Sequence, residues 1–284
     1  MKLALHSVIL SGSPNLEQQL AIARDCGYDG LDIDIMGLKA RADEQGLDAV
    51  LSLFSSHGVA PAGCGLPINW QAPDAEFEAS LETLGPIAQF MVDIDCPRTF
   101  TYIMPTTEGD ANEYWLYLVD RFRAVGDVLA DYGVRLGLEW LGPAHIRATG
   151  KPVIHTMAQT LQLIKEIDLF NLGLLFDVWH WFTSEGTIEE IVDLYADQIV
   201  HVHWNDAPNK PLADQVDSLR EVPGRGIIPL VDVYKALTEI GYEDYLSVEI
   251  FGAGLADMPA MDAAKLVKAA CDEIAAKAGA SADA

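Results

Sequence analysis

No apolar stretch in these 284 residues approaches the roughly 20 needed to span a bilayer as a helix. Basic residues are scarce, 18 Lys and Arg against 43 Asp and Glu, for a formal charge of −25. Such a field repels phosphate backbones and anionic lipid, which argues against nucleic-acid and membrane partners. Cys26, Cys64, Cys96 and Cys271 are far apart and form no CxxC pair, so free thiols in a reducing compartment are expected. No Walker A loop, no Gly-rich dinucleotide turn and no G-x-S-x-G elbow is present. ATP or NAD use and serine hydrolase chemistry therefore have no support. No Ser/Gly/Pro linker divides the chain, which reads as one domain over residues 1–277 with a disordered tail at 278–284. The start, Met1 to Leu10, is too short in its apolar part for a signal peptide, is broken by His6 and Ser7, and has no small-residue cleavage site. It reads as a first strand, and a cytoplasmic location is expected.

What recurs is an alternation of short apolar runs with amphipathic stretches. The strand candidates are 3–10, 30–35, 59–66, 98–104, 134–141, 171–177, 198–204 and 245–251. They are apolar on both faces, as in Leu172-Gly173-Leu174-Leu175-Phe176, which suits parallel strands covered by helices. The clearest helix is 113–132, where Trp115, Leu118, Val119, Phe122, Val125 and Leu129 recur at three- and four-residue spacing. Pro229 marks another helix start ahead of Leu230, Val233, Leu237 and Ile240. Two turns look alike, Cys26-Gly27-Tyr28-Asp29 and Ile240-Gly241-Tyr242-Glu243, each with a glycine suited to a helix C-terminus. Eight strands alternating with eight helices favour a closed (β/α)8 TIM barrel over an open sheet, and about 250 residues is its ordinary size.

In such barrels, polar residues at the carboxyl ends of strands face the active site. Four consecutive strands here end in a residue that can bind metal: Glu139, Asp177, His203 and Glu249. A lone carboxylate buried after an apolar run costs several kcal/mol without compensation, and three around one imidazole repel one another. A divalent ion resolves the conflict. Oxygen-rich ligands with one nitrogen suit Mn²⁺ first, with Mg²⁺, Co²⁺ or Zn²⁺ as alternatives. Taken singly, Glu139, Asp177 or Glu249 also fits a helix cap, and His201 fits a satisfied core residue. The coincidence of four strand ends carries the metal reading. His180, three residues past Asp177, is placed to contact a bound ligand. Trp140, Trp179, Trp181 and Trp204 fit either aromatic walls for a sugar or core packing. Arg220 and Arg225 flank the tight segment Val222-Pro223-Gly224 and fit either a substrate clamp or a plain charged turn.

At these residues the sequence resembles the sugar phosphate isomerase/epimerase superfamily, the xylose isomerase-like barrels, and within it the inosose (2-keto-myo-inositol) isomerase branch. The likeness covers nearly the whole chain. Its sharpest stretches are Leu138-Glu139-Trp140-Leu141-Gly142, residues Asn171–His180, and His203-Trp204-Asn205-Asp206 leading to Arg220 and Pro223-Gly224-Arg225-Gly226. The resemblance implies the same four metal ligands and a substrate-contacting histidine at His180. Two departures bear on the substrate: Asp34 stands where the resembling isomerases tend to have a basic residue, and Asn209 where ketose epimerases have arginine. The resulting expectation is a metal-dependent isomerase or epimerase of a small polyhydroxylated ketone or aldehyde, a sugar or inosose, working through an enediolate with Glu139 and Glu249 as the proton-transferring pair. A lyase using the same site, expelling water or a glycosidic group, is the alternative. The expected partners are that small molecule and, as barrels of this kind often pair through their mouths, a second copy in a homodimer.

Overall fold

The computed structural model describes residues 1–280. Eight parallel strands close into a barrel in sequence order: β1 Lys2–Leu5, β2 Gly30–Asp32, β3 Ala60–Gly65, β4 Arg98–Ile103, β5 Arg135–Trp140, β6 Leu172–Asp177, β7 Ile199–His203 and β8 Tyr245–Ser247. The closing pair is β1 with β8, registered Lys2 to Tyr245 and Ala4 to Ser247. Each apolar run became a strand because both of its faces are covered, by the barrel interior on one side and helices on the other. Leu172 to Asp177 is buried at every position.

Around the barrel lie α1 Leu16–Cys26, α2 Ile35–Gln45, α3 Leu47–His57, α4 Asp74–Asp93, α5 Ala111–Ala130, α6 Met157–Ile167, α7 Val178–Thr183, α8 Leu230–Glu239 and α9 Ala260–Ala280. Local chemistry sets their ends. Asn15 and Gln18 form a capping box at α1, and Asp110 accepts from the backbone N–H of Asn112 and Glu113 at α5. Gly27 and Gly241 adopt φ of 78° and 80° after α1 and α8, the left-handed turns that the two similar segments required. The apolar stripe of α5 is buried at Leu118, Val119, Phe122, Val125 and Leu129.

The first expected strand was too long. Only Lys2–Leu5 pairs, because His6 accepts a hydrogen bond from Val8 N–H and turns residues Ser7–Ile9 into a 3₁₀ helix. The expected tail also began too early: α9 runs through Ala280 and buries Ala278, while residues 281–284 lie outside the described residues. No described helix is long and apolar enough to cross a membrane, and the four cysteines are free, as expected.

Candidate metal centre

The carboxyl ends of β5 to β8 bring Glu139, Asp177, His203 and Glu249 together. Glu139 is the inward residue one before the end of β5, Asp177 and His203 are the last residues of β6 and β7, and Glu249 follows β8 by two. His203 Nδ1 lies 3.6 Å from Glu139 Oε1, 3.7 Å from Asp177 Oδ2 and 3.2 Å from Glu249 Oε2. Yet Glu139 Oε1 and both ring nitrogens of His203 are buried with no hydrogen bond of adequate geometry. Four ligand atoms about 2.1 Å from one ion stand about 3–3.5 Å apart, so the observed spacing fits a divalent cation. The orphaned atoms are what such an ion would satisfy. Asp177, His203 and Glu249 also place one donor atom each within 4.8 Å of one another, as do Glu139, Asp177 and His180.

Within the protein's own charges, the three carboxylates are driven apart. Burial pushes Glu139 up, against the pull of His203. Burial also opposes ionisation of Asp177, but Arg220, His180 and His203 outweigh it and hold that carboxyl below its ordinary range. The same contest leaves Glu249 well below, held by His203, Arg220 and His6. For His203, burial is overcome by Glu249 and Glu139, which keep the ring protonated well past its usual range.

Asp177 does two things at once. Its Oδ1 caps α7, accepting from Trp179 N–H at 2.7 Å and His180 N–H at 3.2 Å, while Oδ2 faces the cluster. The cap and ligand readings of this residue are thus compatible. Glu249 caps no helix. Arg220 enters the centre from the loop after β7: Nη1 donates to Asp177 Oδ2 at 2.7 Å and to Glu249 Oε2 at 3.0 Å, and Nη2 lies 3.3 Å from His180 Nε2. His180 is buried beneath it, Trp179 lies under the guanidinium at 5.4 Å, and Asp217 takes a further Arg220 N–H at 2.8 Å.

Two expected site residues lie elsewhere. Trp140 follows the inward Glu139, so strand alternation turns it outward; it is fully buried, packs on Phe176 at 6.0 Å and donates to Ser184 Oγ. Arg225 is exposed and borders a hollow formed with Ala270, Glu273 and Ile274 of α9, away from the cluster. The reason is Asp206, whose carboxylate accepts from the N–H of Ala207, Gly224, Gly226 and Ile228 and so fixes the loop as a structural turn. Trp204 faces outward against Tyr234 of α8.

Sequence reasoning missed two residues. Asn205 donates to both oxygens of Asp177 at 3.2 Å and to Glu249 O, fixing the two carboxylates relative to each other. Its signal was its place two residues after His203. His6 stands at the end of β1 with Nε2 3.8 Å from Glu249 Oε1; it was hidden inside the overlong first strand. His201 is a core residue, stacked on Phe100 at 4.9 Å and 3.2 Å from Asp32, which also takes the Ser247 hydroxyl.

Comparison with known proteins identifies the family and the fold. An inosose isomerase from Bacillus velezensis is 24% identical over 287 residues, spanning 98% of this chain and 98% of its own. The solved structure of a xylose isomerase domain protein from Alicyclobacillus acidocaldarius superposes with a TM-score of 0.92 at 28% identity, covering 98% of this chain and 99% of that one. The barrel described as the IOLI protein with a binding zinc atom gives 0.82 at 22% identity, over 98% and 99% of the two chains. The family model described as xylose isomerase-like TIM barrel matches residues 20–276, a span containing seven of the eight strands and all four converging strand ends. With the barrel closed, the four ends converged and nearly the whole length matched, this chain belongs to the xylose isomerase-like TIM-barrel family.

Proposed function

We propose that this chain is a divalent-metal-dependent isomerase or epimerase of a small polyhydroxylated ketone or aldehyde, a sugar or cyclitol ketone such as inosose. The convergence of Glu139, Asp177, His203 and Glu249, with buried atoms left unpaired among them, carries the reading. These four would hold the ion, Mn²⁺ by preference for a site with three oxygen donors and one nitrogen donor. A zinc atom in a neighbouring barrel of the same fold and the inosose isomerase relative support metal and substrate class. A bound divalent ion supplies Lewis-acid polarisation of a carbonyl and its adjacent hydroxyl.

The remaining chemistry belongs to side chains. Glu249, at the β8 side of the centre, is suited to remove a proton from the carbon beside the carbonyl. Glu139, at the β5 side, is suited to return one, so the product has the mass of the substrate. His180 and Arg220 orient substrate oxygens, with Trp179 backing the guanidinium.

Elemental analysis of protein purified without chelator, followed by NMR in D₂O with 2-keto-myo-inositol and common ketoses, tests this. About one metal per chain and mass-neutral conversion with deuterium at the reacting carbon are expected. Loss of water or of a glycosidic group would shift the assignment to a lyase on the same site, and absence of metal would remove its basis. Glu139→Gln and Glu249→Gln each lower turnover by roughly 10²- to 10⁴-fold, the usual worth of a proton-transferring group. Retained turnover in either variant would exclude the pair.

A further inference from the structure

Beside the ligand cluster, on the β1 to β3 side of the mouth, lies a groove of about 220 Å³ lined by His6, Ser7, Gln19, Asp32, Asp34 and Phe100 among others. We infer that this groove is the subsite for the non-reacting end of an uncharged polyol, that it disfavours phosphorylated substrates, and that His6 is the group joining it to the reacting centre. The inference rests on the isomerase reading above and names its substrate class more narrowly.

The position comes first. His6 lines the groove and reaches Glu249 Oε1 at 3.8 Å, on the side of that carboxylate away from Arg220 and His203, which both use Oε2. A gap of 3.8 Å is too wide for a hydrogen bond but accepts one bridging oxygen at ordinary hydrogen-bond lengths to both groups. The donor sense follows from the backbone. Val8 N–H donates to His6 Nδ1 at 3.1 Å, so Nδ1 is the acceptor and the neutral ring carries its proton on Nε2. His6 therefore presents an N–H to whatever lies between it and Glu249.

Polarity comes second. No Lys or Arg lines the groove. Arg41 borders an adjoining hollow and is paired with Glu17 at 2.5 Å, and Arg220 is spent on Asp177, Glu249 and Asp217. The groove instead offers carboxylate oxygens. Asp34 is exposed at its rim, and Asp32, 92% buried, backs it as a charge whose oxygens are already engaged, Oδ2 by His201 Nε2 and the Ser247 hydroxyl and Oδ1 3.2 Å from His201 Nε2. Carboxylates accept hydrogen bonds and repel anions. Hydroxyl groups satisfy them, whereas a phosphate, itself an acceptor and anionic, meets neither donors enough nor positive charge.

Calorimetry on the Mn²⁺-loaded full chain tests the inference without requiring turnover. The probes are myo-inositol and inositol 1-phosphate, with the D₂O exchange assay run in parallel. The wild type should bind myo-inositol at least tenfold more tightly than its phosphate. Asp34→Asn keeps the α2 cap and removes the charge, and should narrow that ratio at least threefold. His6→Asn keeps an acceptor for Val8 N–H and removes the reach of Nε2; it should weaken myo-inositol at least tenfold with metal content unchanged. Equal or tighter binding of the phosphate by the wild type, binding of neither probe, or wild-type affinity in His6→Asn would overturn the subsite. Failure of exchange with this selectivity intact would remove the isomerase reading and leave the subsite standing. Exchange without the selectivity would do the reverse.

Discussion

At the scale of single residues, the centre is governed by side chains with two obligations. Asp206 is the plainest. Of its four backbone donors, Ala207 and Ile228 are buried, Gly226 is half-buried and Gly224 is exposed, and an orphaned buried donor costs about 1–3 kcal/mol. Asp206→Ala should lower the thermal unfolding midpoint by roughly 5–10 °C on the usual scaling for a domain of this size, read by circular dichroism, with metal content near that of the wild type. A shift under 2 °C would show that the loop holds without it. Legibility at this scale was uneven for a physical reason. The four converging strand-end residues could be read because each ends an apolar run. Trp140 was misjudged because adjacency in sequence means opposite faces on a strand. Arg225 was misjudged because nothing in its own neighbourhood shows that Asp206, about twenty positions earlier, pulls the glycines around it into a turn.

At the scale of elements, the contact between the loop after β5 and α7 decides how firmly His180 is held. A Cβ on Gly142 would stand 2.4 Å from His180 O, 2.7 Å from Thr183 Oγ1 and 2.9 Å from Ser184 N. Two of those atoms are backbone, so α7 itself must move. Gly142→Ala should cost about 1–3 kcal/mol and reduce kcat as well, because the displaced turn carries His180. A variant of unaltered stability and turnover would mean that the loop yields instead of the helix. The elements themselves were largely written in the chain. Periodicity placed α5 within two residues of its observed bounds, and Gly27 and Gly241 marked the ends of α1 and α8. The first strand failed because Val8, Ile9 and Leu10 are apolar without pairing: Ile9 and Leu10 are buried around a 3₁₀ turn that burial alone cannot distinguish from a strand.

At the scale of the whole molecule, charge links stability to pH and to metal. Asp177 and Glu249 have folded-state values below their ordinary ones, burial being outweighed by Arg220 and His203. The unfolded chain therefore binds more protons in the acid range. Their contribution is complete above the unfolded carboxylate range, about pH 4–5, and is lost as pH falls through the depressed folded values. In EDTA, the urea midpoint should stay level from pH 7 to 5.5 and drop below about pH 4.5. Asp177→Asn should start lower at pH 7 and lose less on acidification; a parallel drop would refute the linkage. An ion at a hundredfold its Kd should raise stability by about 2.7 kcal/mol, seen as a higher melting temperature with Mn²⁺ than after chelation. Closure of the barrel was legible from the count of eight runs. The crowding of Arg220 between Asp177 and Glu249 was not, since it depends on a loop conformation set by contacts distant in sequence.

The double duty of Asp177 has an evolutionary consequence. One oxygen starts a helix and the other faces the cluster, so the proposed function places two selections on the same codon. A library randomised at position 177 and screened for folding alone should return Asp, Asn, Ser and Thr, the residues that start helices well. The same library screened for turnover should return Asp alone. Drift away from catalysis at this position therefore passes through well-folded intermediates, and a descendant that had abandoned the chemistry would keep its barrel intact while carrying Asn, Ser or Thr at the end of its sixth strand.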